Sequence, residues 1–130
     1  MQTELPKLFG LLPKNKVEVL PVEQYREKEA AGAEDHQGTP DGSRPGQVYV
    51  NTGDFSERSK ISMEATAYHE AIPGHHMQND IAQNRPKLPM FRKQPNHTAY
   101  IEEWALYAEQ LGKNVGFYKC SRSDYGRLSS

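Results

Sequence analysis

The sequence has one cysteine, Cys120, one tryptophan, and no apolar run that approaches the 18 residues needed to span a membrane. A lone cysteine excludes an internal disulfide framework, and no histidine or second cysteine stands near Cys120 at metal-ligand spacing. We read it as an ordinary thiol. Charge of one sign is also lacking. Sixteen basic and 17 acidic residues leave a net charge of −1, which gives no electrostatic footprint for nucleic acid or an anionic membrane. Apolar residues are scarce too: the hydrophobic share is 35%, and even with ten glycines counted it falls below the about 45–50% of typical globular chains. The mean hydropathy of −0.87 agrees. A 130-residue chain so poor in core material reads as part of a larger protein whose other segments supply buried partners. MQTELPKLFGLLPKN lacks a charged n-region followed by a long apolar stretch, so the chain is expected to be soluble. Compartment and oligomeric state are left open.

What is present divides the chain in two. Residues 1–60 read as strands and loops. A short helix or turn, broken by Pro6, Gly10 and Pro13, precedes KVEVLPV (16–22), which alternates like a half-buried strand until Pro21 restricts it to an edge or an end. GAEDHQGTPDGSRPG (32–46) is expected to be loop, and QVYVNT (47–52) is the strongest strand. From Ser62, a suitable N-cap, SMEATAYHEAI has no Gly or Pro and predicts a helix; Pro73 and Gly74 interrupt it before HHMQNDIAQN resumes, giving one kinked helix over 61–84. RPKLPMFRKQP (85–95) is a proline-punctuated loop. A second helix over 98–115 carries Ile101, Trp104, Ala105, Ala108 and Leu111 at i, i+3, i+4, i+7 spacing. The tail GFYKCSRSDYGRLSS turns polar with no capping signal. The expected fold is α+β and predominantly helical, a helix pair with a short strand pair.

HEAIPGHH (69–76) carries the chemistry. Two histidines share one zinc when both imidazole nitrogens lie about 2.0–2.1 Å from it, which i, i+4 spacing on a helix allows. His69 and His75 are six apart, roughly 240° and 9 Å on a regular helix; His69 and His76 share a face but lie about 10.5 Å apart along the axis. Neither pair chelates without distortion. Pro73 has no N–H, so the His69 carbonyl loses its helical donor, and Gly74 can adopt conformations closed to other residues. Removing Pro73-Gly74 leaves HEAIH, an HExxH pattern with Glu70 in the base position and His75 as second ligand; His76 is the alternative and needs a larger rearrangement. The second helix offers a third ligand. With Glu102 at 0° and about 100° per residue, the apolar stripe centres near roughly 240°. Glu102 lies on its margin with Glu109 beside it, while Glu103 points to the opposite side. Glu109 is thus either a partner of a ligand histidine or an exposed carboxylate.

HEAIPGHHMQ followed by YIEEWALYAEQLG resembles the domain of unknown function 885 (DUF885) family, zincin-like metallopeptidases whose pattern runs HExxPGH and then, about 25 residues on, VEGWALYAE. DGSRPGQVYVNTGD and FYKCSRSDYGRLS look like that family as well, so the resemblance covers nearly the whole chain. It implies that the chain is an internal segment of a mostly helical protein several hundred residues long. It implies a zincin-like active-site helix pair, with His69, His75 and Glu102 as ligands of Zn2+ and Glu70 as catalytic base, as in other gluzincins. Glu103 stands where the family has Gly.

The expected activity is zinc-dependent hydrolysis of a peptide bond, with a peptide as substrate and neither nucleic acid nor membrane as partner. The strand at 47–52 is expected to offer an edge along which an extended peptide pairs. Tyr68, His97, Tyr100 and Tyr125 are candidates for stabilising the oxyanion. The rival expectations are a catalytically incomplete fragment or pseudoenzyme that binds metal or a partner, and a helical domain whose histidines are structural.

Overall fold

The computed structural model describes residues 3–53, 60–93 and 97–129; the parts of the expected elements at 1–2, 54–59, 94–96 and 130 lie outside the described residues. The architecture is α+β and predominantly helical. A three-stranded sheet comes first, β1 (Val17–Pro21), β2 (Ala33–His36) and β3 (Gly46–Val50), preceded by a one-turn helix α1 (Leu5–Leu8). Then follow α2 (Met63–Glu70), α3 (His75–Gln83), α4 (Met90–Lys93), α5 (Thr98–Asn114) and α6 (Ser121–Leu128). Among the described residues no helix is long and apolar enough to cross a membrane.

The strand order is β1-β3-β2. β1 runs parallel to β3, with Val17 opposite Gly46 and Pro21 opposite Val50, so Pro21 closes an edge strand where its missing N–H is harmless. β2 pairs antiparallel with β3, Asp35 opposite Val48. Two expectations are corrected here. The stretch 32–46 is not all loop, because Ala33–His36 finds a ladder partner in β3; an alanine and three polar residues carry little strand signal of their own. β3, the strand expected to offer an edge, is the central strand with both sides paired, and the open edges belong to β1 and β2.

Helix α2 stops at Glu70, the Ile72–Pro73 peptide is cis, and α3 starts afresh at His75. In place of one kinked helix over 61–84 there are therefore two. Gly74 makes the junction possible: a Cβ there would stand 1.7 Å from the His69 carbonyl oxygen and 2.3 Å from that of Tyr68, both backbone atoms. Only glycine lets the chain double back so closely on the end of α2. The tail also departs from expectation, forming α6 against the start of α2, where a Cβ on Gly126 would meet the Ile61 carbonyl oxygen at 1.9 Å.

Helices α2 and α5 approach through small residues, with Ala65, Ala105 and Ala108 fully buried and Gly112 facing the Tyr68 ring. Leu5, Ile72 and Met77 form the main apolar cluster, joined by Phe9, Val17 and Ile81. Helix α3 is held to the first loop by the buried Asp80 carboxylate, which accepts from the Lys14 N–H at 2.6 Å and from Asn15 Nδ2 at 2.7 Å. Its sheet-facing side carries His76, whose ring fills the space left by Gly46.

Candidate metal centre

Three elements bring their side chains to one point. His69 ends α2, His75 begins α3 across the Pro73-Gly74 junction, and Glu102 sits in the second turn of α5. Nε2 of His69 lies 3.4 Å from Oε2 of Glu102, and Nε2 of His75 lies 3.7 Å from the same oxygen. The two imidazoles stand perpendicular, with centroids 4.7 Å apart. One ligand atom from each residue falls within 4.8 Å of the other two. A tetrahedral zinc with bonds near 2.1 Å holds its ligand atoms roughly 3.4 Å apart, so the triangle needs only a small contraction. Two imidazoles and one carboxylate are also the donor set of catalytic zinc sites that keep a fourth position open. The cluster is buried on the His75 side and half-exposed at Glu102, so a ligand would reach it past Glu102.

Electrostatics separates the two histidines. The buried Glu109 carboxylate accepts the Nδ1–H of His69 at 2.8 Å, and this bond raises the His69 pKa against the opposing effect of burial. In the neutral ring this bond keeps the proton on Nδ1, so Nε2, the nitrogen that faces Glu102, is the one available to a metal. Glu109 is therefore a buried partner of His69 and not an exposed carboxylate. At His75 burial dominates and lowers the pKa, the nearby His69 charge adds to this, and the Glu102 charge and then the Gln78 side chain partly offset it. The α5 helix is pinned at the junction as well, since Trp104 Nε1–H donates to the Pro73 carbonyl at 2.8 Å.

Glu70 follows His69 directly and is half-buried. Burial lifts its pKa to about 6, the charges of Asp35 and Glu102 push the same way, and the His69 charge and the backbone N–H of Asp35 oppose them. Its carboxylate therefore lies against the outer edge of β2.

The other sequence candidates are placed elsewhere. His76 is buried against the sheet, Nε2 at 3.2 Å from the Asn15 carbonyl and Nδ1 at 3.9 Å from Asp35 Oδ1, and it does not reach the cluster. Glu103 is exposed. Tyr68 donates to Glu64 at 3.0 Å, and burial raises its pKa to about 12. His97, Tyr100 and Tyr125 are exposed, and among the described residues none of these four hydrogen-bonds to His69, Glu70, His75 or Glu102. Sequence reasoning missed Gln78 and Asp35. Gln78 carried a usable signal, one helical turn beyond His75 on the same face; Asp35 carried none, because its segment reads as loop.

A family model described as "Bacterial protein of unknown function (DUF885)" matches residues 1–130. Among solved structures, the crystal structure of the "putative lipoprotein from Colwellia psychrerythraea" superposes with a TM-score of 0.91 at 33% identity, over 98% of this chain and 22% of that one. The chain thus spans about a fifth of that protein. No curated protein matches.

Proposed function

The chain belongs to the DUF885 family of bacterial proteins, and on that premise we propose that it carries the zinc centre of a metallopeptidase. The observation that supports this reading is the convergence of His69, His75 and Glu102, with a buried carboxylate fixing the tautomer of the first histidine. Bound there, zinc would supply Lewis-acid polarisation of a carbonyl and a lowered pKa for water. His69 and His75 would hold it through Nε2 and Glu102 through a carboxylate oxygen. Glu70, on the residue after His69, takes a proton from the attacking water and passes it to the leaving amine. A peptide as substrate fits the outer edge of β2 beyond Asp35, whose own N–H Glu70 holds; this role passes to β2 from the strand at 47–52.

The test is metal analysis and peptide hydrolysis by the full-length protein. Glu70→Gln is expected to keep stoichiometric zinc and lose hydrolysis; His69→Ala and Glu102→Ala are expected to lose zinc. Unchanged hydrolysis in a zinc-loaded Glu70→Gln protein would sink the catalytic reading. A second reading, a metal-binding module without turnover, is favoured by one observation: none of the four oxyanion candidates reaches the cluster among the described residues. It predicts stoichiometric zinc without hydrolysis in the wild type.

A further inference from the structure

Behind His69 stands Glu109, yet behind His75 the structure shows an unfinished pair. Nδ1 of His75 is buried without a hydrogen-bond partner, and so is Oε1 of Gln78, one turn further along α3. The orientation of that amide is not arbitrary. Its nitrogen donates to the Tyr100 carbonyl at 2.9 Å, and a carbonyl can only accept, so the oxygen is the end left inside. Of the other two buried unpartnered oxygens, Asp35 Oδ1 lies beside His76, while the Tyr118 hydroxyl belongs to the ring packed edge-on against Tyr68. Gln78 Oε1 is the one of the three on the same helix as His75, one turn along and on the same face.

The chemistry of the ligand requires such an acceptor. His75 presents Nε2 to Glu102, so a neutral imidazole ligating through that atom carries its proton on Nδ1. A buried N–H with no acceptor is costly, and the cost falls on the metal-bound form.

We propose that Gln78 is the positioning residue for His75: its Oε1 accepts the Nδ1–H of His75 when Nε2 ligates the metal, while its Nε2–H bond to the Tyr100 carbonyl anchors the pair to the helix that carries Glu102. The two histidines then have unlike partners, a carboxylate for His69 and a neutral amide for His75. The amide orients without adding charge, so the ligand set keeps more Lewis acidity at the metal than two carboxylate partners would allow.

The inference rests on the metal-site reading above, and the experiment separates their failures. In the full-length protein, zinc affinity is measured by chelator competition and the visible spectrum is recorded after Co2+ substitution, for wild type, Gln78→Met, Gln78→Glu and His75→Ala. Gln78→Met, which removes the acceptor, is expected to weaken zinc at least about tenfold and to shift the Co2+ bands. Gln78→Glu keeps the acceptor and is expected to stay close to wild type in affinity, although both variants lose the bond to Tyr100 and melt lower. Equal weakening by Met and Glu would reduce Gln78 to a helix tie and overturn the proposal, as would wild-type zinc affinity in Gln78→Met. Wild-type affinity in His75→Ala overturns the metal site itself. Should the variants fold poorly, imidazole 15N shifts of the zinc-loaded wild type decide: Nε2 ligated with a protonated Nδ1 supports the proposal, and Nδ1 ligation overturns it.

Discussion

Two interfaces each place a carboxylate behind a histidine, and they do opposite things with it. Between α2 and α5, Glu109 meets His69 at 2.8 Å in a hydrogen bond. Between α3 and the sheet, Asp35 lies 3.9 Å from His76 with Oδ1 unpaired; its other oxygen accepts from Asn79 at 3.1 Å, and burial raises its pKa. The first histidine keeps a nitrogen directed to a half-open cleft; the second is enclosed on every side. The difference lies in what the neighbouring backbone permits. Small residues at the α2–α5 contact bring Glu109 within bonding distance, whereas at the sheet Gly46 makes room for a ring. The same residue types build a candidate site in one place and a scaffold in the other.

The sharpest way to break this comparison is at the two glycines. Gly74→Ala sets a methyl against the His69 and Tyr68 carbonyls, which cannot move without unwinding α2. It is expected to destabilise the protein by more than about 3 kcal/mol in chemical denaturation and to abolish zinc binding. Gly46→Ala meets only the His76 ring, at 2.3 Å, and is expected to cost about 1–3 kcal/mol with zinc affinity retained. Equal loss of zinc in both would erase the division between site and scaffold.

Next comes the carboxylate behind His69. Glu109→Leu leaves Nδ1 of His69 without its acceptor and is expected to weaken zinc about 10–100-fold in chelator competition. Asp35→Asn is expected to leave zinc affinity unchanged.

A smaller effect appears in pH. Burial holds the folded pKa of Asp35 above its unfolded value. Folding therefore takes up a proton there, and that stabilisation is complete below about pH 4 and lost as pH rises through the folded pKa. The melting temperature of Asp35→Asn relative to wild type is expected to climb as the pH rises above about 4 and to level off once the folded pKa is passed. A flat difference would show that Asp35 pays no penalty for burial.

The smallest effect is expected at Glu103, the position where the family has Gly. The side chain is exposed in the interior of α5, so Glu103→Gly should cost roughly 0.5–1 kcal/mol in thermal unfolding and leave zinc affinity alone.

Much of the helical framework was legible in the sequence. The stripe from Ile101 to Leu111 predicts α5 to within a residue of its observed end, and Pro73-Gly74 marks the junction that brings His75 beside His69. Such signals are local, because a helix satisfies its own backbone and a proline removes a donor wherever it stands. Ala33–His36 was illegible for the opposite reason. A strand borrows its hydrogen bonds from a partner distant in sequence, and Ala33 with three polar residues becomes β2 only because β3 lies alongside. Helix α6 has no buried apolar stripe and is defined by its close contact at Gly126 with the chain before α2.

The sequence by itself determined the donor types, the order in which they occur and the break that an HExxH spacing needs once lengthened by two residues. Tertiary structure alone decided which of two adjacent histidines faces the cleft, because His75 and His76 are about 100° apart on one helix and only the space at Gly46 tells them apart. It also decided that Glu109 is buried against His69 rather than exposed. Periodicity names the face of a helix, but a hydrogen bond forms only where another element is packed closely enough to complete it.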